Sequence, residues 1–244
     1  MQRSICFISA ALLFMLSPCH AGLLDDLKRE VLLAELQQSP VDNSTISKGL
    51  KEALAISTER AVNEVAKTDG YFGRQLIKIL VPEEFQQAAD ILKKAGYQQQ
   101  LDGFILSMNR AAEKAAPNAA PFFADAIRQM SVENARRILS GGDKAATEFF
   151  EKQTRTQLFN AFKPSVAKSM EQAGTARIYK EMFSKYESIP LTSLIPVPSL
   201  DLDTYVTNKA LDGLFVMVGE EEKKIRTNPA ARTSELLRKV FGNR

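Results

Sequence analysis

Residues 44–67, STISKGLKEALAISTERAVNEVAK, set the fold class. Ile46, Leu50, Ala53, Leu54, Ala61 and Val65 recur at helical spacing, so one side of the segment is apolar and charged side chains occupy the rest. Asp69-Gly70 then breaks the pattern. Leu23, Leu24, Leu27, Val31 and Ala34 form an earlier stripe, closed by Ser39-Pro40. Pro82 opens a helix with Phe85, Ala88, Leu92 and Ala95 buried and Gly96 as its end.

The remaining chain reads the same way. From Gln98 to Met130, Leu101, Ile105, Met108, Ala112 and Ala115 share a face, and Pro117 and Pro121 predict a break into two helices. Ser131 is the N-cap of the next helix. Gly141-Gly142 stops it, and Asp143 is expected to cap a helix carrying Phe149, Phe150, Leu158, Phe159 and Phe162. Pro164 is expected to open another, ending at Gly174, followed by one built on Ile178, Met182, Phe183 and Tyr186. Residues 187–200, with Pro190, Pro196 and Pro198, form the one long loop. A helix over 202–225 and a last one from Asn228-Pro229 to Phe241-Gly242 complete the chain.

Only residues 76–81 are dense in β-branched and aliphatic side chains without helical spacing. They predict a short extended connector, paired at most with Tyr71-Phe72 in a small hairpin. The fold expectation is therefore all-α: one irregular multi-helix bundle of about nine or ten helices over residues 22–244.

The amino terminus has the form of a secretory leader. Arg3 supplies a charge, Ile5 to Leu16 is apolar, Ser17-Pro18 breaks the helix, and Cys19-His20-Ala21 offers a small-x-small cleavage site. Cleavage after Ala21 predicts a periplasmic protein starting at Gly22. Acylation of Cys19 is the alternative, giving an anchored lipoprotein. Cys6, Cys19 and His20 are the only cysteines and histidine, so the mature chain would have neither, and the full sequence has no Trp. Loss of Arg3 lowers the formal charge from +3 to +2. That balance predicts no nucleic-acid partner. After the leader the longest apolar run is Leu214 to Val218, far short of a transmembrane span.

These absences bound the chemistry. Without His or Cys there is no serine–histidine triad, no thiolate nucleophile and no zinc site of the usual kind. No glycine-rich phosphate cradle occurs. The expectation is no cofactor and no metal. Asp201-Leu202-Asp203 reads as a helix cap, and Glu220-Glu221-Glu222 as a solvated helix face.

One constellation stands apart. Asn109, Arg110 and Glu113 lie on one helical face beside Ala111 and Ala112, whose small side chains let another helix approach. Tyr205, Asn208 and Asp212 share a face of the late helix. The two faces are expected to be neighbours, with Arg110 pairing with Asp212 or Glu113. They form either a ligand-binding cleft or a buried ion-pair network that fixes helix register. Three functions remain open: non-enzymatic binding or scaffolding in the cell envelope, carriage of an apolar ligand such as a lipid, or carboxylate-based hydrolysis, since paired acids need no histidine. The partner would be another envelope protein or an apolar molecule.

Four blocks carry a resemblance. They are Asn109-Arg110-Ala111-Ala112-Glu113, Ala145-Ala146-Thr147 before Phe149-Phe150, Tyr205-Val206-Thr207 leading to Leu211-Asp212-Gly213-Leu214-Phe215, and Ile225-Arg226-Thr227-Asn228-Pro229. In that order, over roughly 44–242, the chain resembles domain of unknown function 4197, a bacterial family. The resemblance implies an exported helical protein and supplies no catalytic residues.

Overall fold

The computed structural model describes residues 42–190, 192 and 201–242. The leader with Cys19 and Ala21, the stripe at 23–34 and most of the loop at 187–200 lie outside the described residues. Nine α-helices make up the described chain: α1 (Asn43–Val65), α2 (Gln86–Lys94), α3 (Gln98–Ala115), α4 (Ala120–Gln129), α5 (Val132–Leu139), α6 (Ala145–Gln172), α7 (Thr175–Glu187), α8 (Leu202–Thr227) and α9 (Glu235–Phe241). There is no strand among the described residues, and the architecture is an all-α bundle.

Capping side chains set several helix starts. Asp42 accepts from Thr45 N, Ser131 from Asn134 N, Asp201 from Thr204 N and Ser234 from Leu237 N. Each satisfies a backbone donor that the first turn leaves without a helical acceptor. The break at Pro117 and Pro121 is present as a 3₁₀ turn, Ala116–Ala119, between α3 and α4. The expected start at Pro164 is absent: α6 runs straight through it. Phe150, Thr154, Leu158, Phe162, Val166 and Met170 are all buried at a spacing of four, before and after the proline. That continuous face outweighs the ~3 kcal/mol a mid-helix proline costs.

Helix α8 is the centre of the bundle. It packs against both α1 and α6, while α3 covers another side of α6. Leu214, Phe215, Met217 and Val218 are all buried, so the apolar run is enclosed on more than one face. This enclosure corrects the reading of Glu220 to Glu222 as a solvated face. Glu220 alone is half-buried and reaches Lys144 Nζ at 2.7 Å, whereas Glu221 and Glu222 are 6% and 3% exposed.

Glu222 also corrects the cap assigned to Asp143. The start of α6 has no side-chain cap of its own. The Glu222 carboxylate accepts instead from Ala146 N (3.1 Å), Thr147 N (2.8 Å) and Thr147 Oγ1 (2.6 Å), and from Arg226 Nε (2.8 Å). A carboxylate at a helix N-terminus also complements the helix dipole. Sequence spacing favoured the nearby Asp143, but Asp143 is exposed and the buried oxygen comes from 79 residues further on.

The two assignments differ in consequence. Glu222→Ala removes an acceptor from two buried amides and strands Arg226, and is expected to lower the unfolding free energy in urea by about 3–5 kcal/mol. Asp143→Ala is expected to change it by less than about 0.5 kcal/mol. Equal effects would return the cap to Asp143.

Candidate functional site

Between α1 and the turn that begins α2, residues 66–82 cross the face of the bundle as turns and irregular chain; this segment is called the strap below. The hairpin with Tyr71-Phe72 does not form. Asp69 turns the chain at a φ of 64°, in the left-handed region that Asp tolerates better than most residues. Gly70 follows where a Cβ would lie 2.3 Å from the Val65 carbonyl oxygen. Burial then alternates: Leu76 exposed, Ile77 buried, Lys78 half-buried, Ile79 buried, Leu80 exposed. Residues 75–77 make a turn, closed by Ile77 N and Lys78 N on the Arg74 carbonyl, and 78–80 then run on as irregular chain.

Helix α3 supplies the hydrogen bonds that a neighbouring strand would give. The Asn109 amide accepts from Ile79 N at 2.9 Å and donates back to the Ile79 carbonyl at 2.7 Å. One turn on, Glu113 Oε1 accepts from Tyr71 N (3.1 Å) and Phe72 N (3.2 Å). Its other oxygen takes Arg110 (2.6 Å), whose second terminal nitrogen holds Asp69 (2.7 Å). Asn109 and Glu113 are 0% and 4% exposed.

Helix α8 holds the strap from the other side. Tyr71 is wholly buried and donates its hydroxyl to the Ala210 carbonyl at 2.6 Å. Its ring lies over Gly213, where a Cβ would come within 2.7 Å of the ring and 3.1 Å of Ile77 Cβ. Glycine there lets strap and helix approach closely. Tyr205 donates to the Leu80 carbonyl at 3.0 Å. Burial, with smaller help from Glu84 and Glu83, pushes the Tyr205 phenol up to about 12.

The two candidate faces thus meet the same piece of chain rather than each other. Arg110 pairs with Glu113, as one of the two expectations had it, but not with Asp212, which is held by Arg155 from α6. Tyr205 and Asp212 line a cleft of ≈360 Å³ beside the strap, together with Leu80, Glu83, Lys209 and Val216. Asn109, Arg110 and Glu113 do not line it; they fix its wall. Sequence reasoning missed Lys209, Glu83 and the exposed Leu76 and Leu80. The density of β-branched and aliphatic residues at 76–81 was the available signal.

The Asp212 carboxylate is engaged by the Arg155 guanidinium, and Glu83 is the other carboxylate on the cleft wall. Among the described residues no group of three acidic, His or Cys side chains gathers as a metal site would require.

The Tyr71 phenol gives the strap a pH signature. Burial first, then the charges of Glu113 and Asp212, raise it far above the ordinary 10.0. The folded chain therefore keeps this proton after the unfolded chain has released it. The stabilisation is complete below pH 10 and declines as pH rises further, by about 1.4 kcal/mol per pH unit. Tyr71→Phe is expected to cost about 1 kcal/mol at pH 8 through the lost hydrogen bond, and to be level with the parent near pH 11. Parallel alkaline losses in urea titrations of both proteins would contradict a buried phenol.

No curated protein and no solved structure matches the chain. One family does: that described as "Protein of unknown function (DUF4197)" matches residues 40–242, which include every block quoted above and the whole strap. The chain belongs to this family.

Proposed function

We propose that this is an exported, non-enzymatic binding protein of the cell envelope, and that its partner docks on the cleft beside the strap. The observation that carries this reading is the fixed, partly apolar wall of that cleft. Leu76 and Leu80 are 72% and 49% exposed on a segment whose backbone is tied down by Asn109, Glu113 and Tyr205. Exposed apolar side chains on a pre-formed support lose little ordering entropy on binding. The cleft volume lies in the ~300–1,000 Å³ range of small-molecule and cofactor sites.

Export rests on the leader at residues 1–21. No helix among the described residues is long and apolar enough to cross a membrane. An apolar carrier finds less support. A groove of ≈600 Å³ between α6, α7 and the start of α8 carries the charges of Glu171, Arg177, Asp201 and Asp203; a groove with less polar lining, between α1 and α4 at Ala55, Val62, Ala124 and Ile127, holds ≈190 Å³. That is below the ~300 Å³ at which such sites begin.

The test is a native pull-down from periplasm with the exported protein, its Leu76→Asp/Leu80→Asp variant and, as a control, Val132→Asp on α5. The expected result is a protein partner retained by parent and control and lost by the double variant, with all three unfolding at similar temperatures. The bait should begin at Gly22 by intact mass. Identical captures by all three baits, or co-purified lipid alone, would contradict the binding reading, and a diacylated chain beginning at Cys19 would contradict a free periplasmic one.

A further inference from the structure

In extended backbone the N–H and C=O of one residue point to the same edge, and those of the next residue to the opposite edge. Asn109 takes both polar groups of Ile79. Lys78 and Leu80 therefore present theirs away from α3. Lys78 N is turned back to the Arg74 carbonyl, and Tyr205 uses one lone pair of the Leu80 carbonyl. Two groups are left over: among the described residues nothing accepts from Leu80 N and nothing donates to the Lys78 carbonyl. They flank Ile79 in the short stretch 78–80, which has no strand beside it among the described residues.

Charge indicates what would lie there. Lys78 and Lys209 both line the cleft, and neither has a carboxylate within ion-pairing distance among the described residues. Lys78 sits over the Phe72 ring at 3.9 Å and Lys209 lies 5.9 Å from the Tyr205 ring. The cleft carboxylate of Asp212 shares Arg155 with Glu151, and neither Glu83 on the cleft wall nor Glu84 beside Tyr205 is ion-paired to these two ammonium groups among the described residues.

We infer that residues 78–80 accept an extended segment of a partner protein as an added strand, bonded to Leu80 N and the Lys78 carbonyl, with an acidic side chain facing Lys78 and Lys209. This is main-chain recognition at an open edge. It rests on the cleft reading above and gives that partner a chemistry. Tyr205 lines the same cleft and already donates to the Leu80 carbonyl.

The test uses random heptapeptides displayed on phage, selected on the purified exported protein, with affinities of synthetic copies read by fluorescence anisotropy. Enriched peptides are expected to carry an acidic residue. N-methylation of alternate peptide amides should weaken them roughly tenfold or more, as the loss of main-chain bonds requires. Leu80→Pro should do the same, because proline lacks the N–H and nothing inside the fold uses it. Leu80→Ala, which keeps the N–H, should lose less. Lys78→Glu and Lys209→Glu should each weaken acidic peptides about two- to fivefold, the size of an exposed ion pair.

Failure to enrich any peptide, or binders indifferent both to N-methylation and to Leu80→Pro, would overturn strand addition. A leucine-dependent partner in the pull-down would still stand in that case, so the two failures are separable. Self-association of the parent that Leu80→Pro abolishes would put a second copy on the edge and overturn the inference as stated. If Leu80→Pro lowers the unfolding temperature relative to Leu80→Ala, the N-methylated peptides alone decide.

Discussion

Three backbone amides of the strap, at Tyr71, Phe72 and Ile79, are covered by the bundle without belonging to any helix or sheet. Left without acceptors, each would cost on the order of 1–3 kcal/mol. Asn109 and Glu113, one turn apart on α3, satisfy all three and the Ile79 carbonyl as well. The rest of the site follows from this capture. With the backbone held from α3, Tyr71 can be buried against α8, Gly213 can sit beneath it, and Ile77 and Ile79 can face inward. Leu76, in the turn before Ile77, and Leu80, after Ile79, are left outward. The cleft is the space left on α8 beside a segment that cannot move toward it.

Helix α8 uses the same device at its other end. There a buried carboxylate, Glu222, terminates the N–H groups of α6 as Glu113 terminates those of the strap. In both places a long acidic side chain from one helix replaces a local cap or partner strand in another element, and an arginine balances its charge: Arg110 for Glu113, Arg226 for Glu222. The bundle thus depends on a few buried polar contacts between residues far apart in sequence. Removing one member of such a set leaves a charge or an amide stranded in the interior.

This explains what the sequence could disclose. Helix positions follow from local periodicity and caps, so Ser131, Asp201 and the break at Pro117 were legible. Pro164 was not, because the cost of a proline is local while the burial that outweighs it belongs to the neighbouring helices. Glu222 was hidden by its company: within Glu220 to Lys224 only packing decides which acid faces inward. Asn109, Arg110 and Glu113 were recognisable as polar groups set among small residues. Their target was not, since helical spacing says which side chains share a face and nothing about the chain that crosses it. The extended connector at 76–81 was visible but had no strand to pair with. A side-chain amide as the partner leaves no mark in a search for strands.

Side chains of α3, rather than a second strand, hold the strap, and amide hydrogen exchange reads this directly. Native-state exchange followed by NMR should show Tyr71, Phe72 and Ile79 protected along with the core of α3. Leu80 N, one residue from Ile79 and without an acceptor among the described residues, should exchange near the rate of an unstructured chain. In Asn109→Ala the protection at Ile79 should fall, while that at Tyr71 and Phe72, which depends on Glu113, should persist. Equal exchange at Ile79 and Leu80 in the parent protein would contradict the account.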